Sequence, residues 1–135
     1  FGHEDFPFHA LTPANVNICL GTDSLATVYK THRQKVELNM FEEMQAFAAK
    51  HPRVSSDAIL RMATMNGARA LGMEGQAGEI SEQALADLIA IPFNGDLKDA
   101  KDAALHHKGG VLASMIDGEW AIEPQGHTTE TSRTL

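Results

Sequence analysis

The run Val16, Asn17, Ile18, Cys19, Leu20, closed by Gly21, constrains this chain more than any other stretch. It is too short for a helix, carries two β-branched residues and stops at a glycine, which predicts a short buried parallel strand. Asp23 follows after a Gly-Thr step. An aspartate there ordinarily caps a helix or makes an Asx turn. The alternative is functional, because in parallel α/β architectures the loops at the carboxyl ends of strands form the active-site face. A carboxylate in such a loop can bind a metal or move a proton. Position alone does not choose between these readings.

The rest of the chain divides by its periodicity. Residues 1–14, with Pro7 and Pro13, allow only a short helix or an irregular approach, and residues 24–37 are polar and loop-like. Met40, Phe41, Met44, Phe47 and Ala48 fall at helical spacing until His51-Pro52 stops them. A second helix is predicted to start near Ser56, behind a serine cap and with Asp57 in its first turn. Asn66-Gly67 predicts a break, with Asn66 capping a further short helix that ends at Gly72. Residues 78–123 read as β-rich: Ile80, Leu88, Ile89 and Ile91 suit short strands, and Asp117-Gly118 between apolar runs marks a tight hairpin. The charged connection between them allows one helical turn. The polar tail from Pro124 is expected to be mobile unless a partner chain holds it.

With 135 residues, 43% of them hydrophobic, the chain can bury one core of ordinary domain size. Eighteen acidic against eleven basic residues, a net charge of -7, exclude the electrostatic footprint of a nucleic-acid binder and leave no basic cluster for an anionic membrane. Cys19 has no partner for an intrachain disulfide, fits a reducing compartment and is expected to pack in the core. No apolar stretch approaches the ~20 residues of a membrane helix, and the first residues lack the pattern of a signal peptide. A soluble, cytoplasmic chain is therefore expected. It begins at Phe1 and reaches the strand almost at once, which reads as a start in mid-architecture.

The histidines form neither a His-x-His nor a His-x-x-x-His pair, so solvated or structural roles are expected for them. Met40, Met44, Met62 and Met65 are expected to fill gaps on apolar helical faces. Ser24 lacks the Gly-x-Ser-x-Gly surroundings of an activated nucleophile.

Three segments taken in order, VNICLGTDSLAT, LNMFEEMQ with ILRMATMNGARALGM, and GEISEQALADLIAI, resemble the C-terminal third of the amidohydrolase superfamily. The nearest branch includes cytosine, guanine and adenosylhomocysteine deaminases and chlorohydrolases, and the similarity spans roughly residues 8–123. Two positions depart from the family pattern: Ala84-Leu85 stands before Ala-Asp-Leu where relatives carry Gly-Lys, and Gly67 stands where many have proline.

The resemblance implies an α/β fold: the last βα unit of a (β/α)₈ metal-dependent hydrolase barrel, plus C-terminal strands of a small β-sandwich. On that basis residues 1–77 are the barrel segment, 78–123 the sandwich segment and 124–135 the tail. It also implies that Asp23 is the aspartate that ends the eighth strand, contacting a divalent metal, zinc or iron, and handling the proton of metal-bound water. A metal lowers the pKa of such water to about 7, and a nearby carboxylate can accept its proton and return it to a departing amine. The expected reaction is hydrolysis of a C–N or C–halogen bond in a small heterocyclic substrate.

The histidines that relatives place on the first, fifth and sixth strands have no counterpart, so this chain alone is expected to bind no metal and to be inactive. A complete barrel takes about 250 residues. The exposed flanks of its last strand predict association with the missing barrel part or with another copy. The alternative is a non-enzymatic α+β scaffold or interaction module derived from a hydrolase, with Asp23 reduced to a cap.

Overall fold

The computed structural model describes residues 6–23 and 38–125. Its elements run α1 (Phe8–Leu11), α2 (Met40–Lys50), α3 (Ser56–Ala63), α4 (Met65–Ala70), β1 (Leu88–Ala90), a short 3-10 helix (Leu97–Asp99), α5 (Ala100–Leu105), β2 (Ala113–Ile116) and β3 (Glu119–Ile122). The architecture is thus a group of helices with a small antiparallel sheet in the order β1-β2-β3. Among the described residues no helix is long and apolar enough to cross a membrane.

Local chemistry explains where the helices start. Asn39 is extended and its side chain accepts a hydrogen bond from the Phe41 N–H at 3.0 Å, capping α2. Ser55 does the same for α3 through the Ala58 N–H at 3.3 Å. The apolar faces of α2, α3 and α5 then meet: Met44, Leu105 and the fully buried Ile59 form the core, with Leu20, Phe41, Phe47, Val54 and Leu60 packed around them. Met62 is buried as well, while Met40 and Met65 are half-buried, so the methionines fill gaps as expected.

Asp117-Gly118 forms the predicted hairpin turn. Both residues have positive φ, 50° and 82°, as a two-residue turn matched to right-handed strand twist requires. Met115 pairs with Trp120 and Ile116 with Glu119 across it, and Leu88 of β1 pairs with Met115 on the other side.

Four expectations are corrected. Residues 17–20 alternate between exposed and half-buried, as an extended chain does, but residues 16–20 join no strand ladder among the described residues. Val16, Asn17 and Cys19 are exposed there, while Ile18 and Leu20 are half-buried. Helices cover one flank of the segment, and no described strand lies along the other. Cys19 therefore does not pack in the core. Ile80 and Ile91 lie in no strand, and Ile80 is exposed. The helical break falls at Thr64 rather than at Asn66-Gly67, and Asn66 lies within α4 without capping it. The loop expected at 24–37, Ser24 included, and most of the polar tail lie outside the described residues.

Candidate functional site

Asp23 sits at the end of the extended segment, exposed to solvent, with φ 53°. Aspartate tolerates this left-handed conformation better than most side chains because its short polar group can bond locally. The segment leading to it is anchored on the junction of α3 and α4. The Leu20 N–H donates to the Met62 carbonyl at 2.9 Å. The Asn66 amide donates to the Ile18 carbonyl at 2.7 Å, and the Asn17 amide donates to the Asn66 carbonyl at 2.9 Å. From the sequence Asn66 reads as a cap, and nothing there marks Asn17. The available signal was an asparagine at a helical position, where it is a poor helix former and competes for backbone partners.

No three His, Cys, Asp or Glu side chains converge to hold a metal among the described residues. A single carboxylate is not a metal site, so the described residues do not by themselves fit a bound metal. Asp23 could serve only as one donor beside ligands from elsewhere.

The described histidines have other employment. His107 is buried, donates from Nε2 to the Gly110 carbonyl at 3.2 Å, packs edge-on against Phe41 and accepts a hydrogen bond on its carbonyl from Gln45. His51 lies against Phe47 with ring centroids 4.4 Å apart, and Phe8 and His9 of α1 close on the same cluster. His106 faces Asp102 at 3.8 Å on the surface.

Cavities lie elsewhere among the described residues, and one of about 460 Å³ is bounded by Ile116, Asp117, Glu119 and Trp120 of the hairpin. A second of about 260 Å³ is bounded by Asn39, Phe41, Gln45 and His107. Another of about 230 Å³ is bounded by Arg61, Asn66, Arg69, Glu74 and Glu79, where acidic and basic groups offset each other. Hydrogen bonds from Lys101 and then Arg61 hold the Asp57 carboxyl below the usual carboxylate value. Beside it, the Ser56 hydroxyl donates to Asp102 at 2.9 Å, so these charges join α3 to α5.

Comparison with known proteins places this geometry in context. Residues 5–121 match the model of the amidohydrolase family. The chain is similar to the 5-methylthioadenosine/S-adenosylhomocysteine deaminases of Syntrophobacter fumaroxidans, 40% identical over 64% of this chain and 20% of that protein, and of Pyrococcus abyssi, 38% identical over 82% of this chain and 24% of that protein. Among solved structures it resembles the adenosine deaminase from Xanthomonas campestris with bound zinc. There the TM-score is 0.71 and the identity 28%, over 86% of this chain and 28% of that one. The chain thus spans about a fifth to a quarter of the length of the curated relatives it matches. With nearly all of its described residues inside the matched region, the chain belongs to the amidohydrolase family.

Proposed function

We propose that this chain is the C-terminal portion of a metal-dependent aminohydrolase that deaminates an aminopurine nucleoside, with Asp23 as its catalytic carboxylate and one metal donor. Residues 1–77 would be the last barrel unit and 78–123 the part of the sandwich built from this end. The observation that carries the reading is an exposed carboxylate at the end of an extended segment anchored by its backbone to helices. The deaminase names of the relatives support the substrate class.

In this reading Asp23 accepts a proton from the attacking water as its oxygen bonds to the ring carbon that bears the amino group. The carboxyl group then gives the proton to the nitrogen as the C–N bond breaks, and ammonia leaves. The remaining metal donors and most of the substrate pocket would come from the other barrel strands, because specificity in such barrels resides in loops after several strands. The same missing strands, or a second copy, would cover the exposed flank of residues 16–20 and the exposed sheet residues Ile89, Ile116 and Trp120.

The test is ammonia release from S-adenosylhomocysteine and from adenosine by the full-length polypeptide. Asp23→Asn is expected to lower kcat by about 100- to 10,000-fold, the usual contribution of a positioned acid-base group. Wild-type turnover in that variant would reject the catalytic role.

A further inference from the structure

We infer that Asn66 is a positioning residue for Asp23: it fixes the register and face of the segment that carries the carboxylate. The inference rests on the catalytic reading of Asp23 given above.

The break at Thr64 is what makes the anchor. A helix end leaves its last four carbonyls without intrahelical donors, and three of those of α3 are taken up in turn. The Leu60 carbonyl accepts from the Thr64 hydroxyl at 2.8 Å and the Arg61 carbonyl from the Thr64 N–H at 3.2 Å. The Met62 carbonyl accepts from Leu20, outside the helix, at 2.9 Å. One turn further on, Asn66 projects its amide to the Ile18 carbonyl at 2.7 Å, and its own carbonyl accepts from the Asn17 side chain.

Residues 18 and 20 of an extended chain present their backbone groups to the same side, as their side chains also repeat with period two. The α3–α4 junction therefore supplies a donor and an acceptor at the spacing of a strand edge, although no strand is there. Two contacts two residues apart fix both the translation of the segment and its rotation about its own axis. A slip of one residue would turn the side chains of residues 16–20 to the opposite face and carry Asp23 to a different position. The Leu20 bond uses only main-chain atoms and is available to any sequence. The bond to Ile18 depends on the identity of residue 66, so that side chain contributes to register, beside the Asn17 amide that donates to the Asn66 carbonyl. An asparagine inside α4 is a poor helix former, and its amide is spent on a contact 48 positions away in sequence.

The experiment compares wild type with Asn66→Asp, Asn66→Ala, Asn17→Ala and Asp23→Asn in the full-length polypeptide, using S-adenosylhomocysteine and adenosine as substrates. Asn66→Asp keeps the shape of the side chain but turns an acceptor toward the Ile18 carbonyl, and so serves where the alanine variant folds poorly. Both Asn66 variants are expected to lose about 10- to 100-fold in kcat, the scale on which a misplaced group acts, with little change in KM. Amide exchange should quicken at Leu20 and stay unchanged at Met44 and Ile59. Asn17→Ala should show the same pattern more weakly.

A merely structural role would lower the folded fraction and leave kcat per folded molecule intact, which overturns the inference. So does an inactive Asp23→Asn beside fully active Asn66 variants. Wild-type turnover in Asp23→Asn instead removes the catalytic reading itself.

Discussion

The carboxylate of Asp87 accepts a hydrogen bond from the backbone N–H of Asp117 at 2.7 Å, across thirty positions of sequence. It joins the residue just before β1 to the tip of the β2–β3 hairpin. The Ala-Asp-Leu motif therefore uses its acid to hold the sheet together at a turn where both residues have positive φ.

Asp87→Ala is expected to cost about 1 kcal/mol, below the range of about 1.5–3 kcal/mol for a hydrogen bond to a charged group, because the contact is exposed. Asp87→Asn retains an acceptor oxygen and should lose less than half of that. Urea unfolding of the three proteins measures both values; an alanine variant as stable as wild type would show that the hairpin holds its place without the carboxylate.

Two glycines with positive φ should respond very differently to alanine. At Gly118, φ 82°, an added Cβ meets nothing within 4 Å, so the cost is conformational alone, about 1 kcal/mol. At Gly78, φ 78°, the same atom would lie 2.8 Å from the Thr64 carbonyl carbon and oxygen. That contact is with the backbone of the α3–α4 break and cannot be relieved by a side-chain rotation. Gly78→Ala should therefore destabilise clearly more than Gly118→Ala in thermal unfolding, and equal melting temperatures would contradict the close approach.

Asp57 gives a pH dependence with a definite sign. Lys101 and Arg61 hold its folded-state pKa below the usual carboxylate value, so the stabilisation is present above the unfolded value and is lost as pH falls through the folded one. Wild type and Asp57→Asn should differ most at neutral pH and converge below the ordinary carboxylate range. All three groups are substantially exposed, so added salt should shrink the difference. A gap that widens toward acid pH would overturn the assignment.

Ile59 tests the core. It is fully buried where α2, α3 and α5 meet, so Ile59→Ala should cost about 2–5 kcal/mol and Ile59→Val about 1 kcal/mol. Denaturant midpoints check the ratio. Similar small losses for both would mean that the three helices close over the vacated space.

What the sequence determined by itself were features whose cause is local. The α2 periodicity ending at His51-Pro52, the start of α3 behind Ser55 and the Asp117-Gly118 turn each depend on residues within a few positions of one another. Asp23 could be singled out as a candidate for the same reason: an acid follows an apolar run and a Gly-Thr step.

Only the tertiary structure decided how that acid is held. Asn66 reads locally as a cap, yet its amide spans 48 positions to reach Ile18, while the break of α3 at Thr64 leaves the Met62 carbonyl for Leu20. Residues 16–20 have the composition of a buried strand, but burial depends on neighbours along both flanks, and the described structure supplies helices along one. Hydrophobic pattern and turn chemistry act over a few residues and can be read along the chain. The pairing of a backbone group with a distant partner depends on which surfaces the helices packed around Ile59 bring together, and no short window of sequence contains both partners.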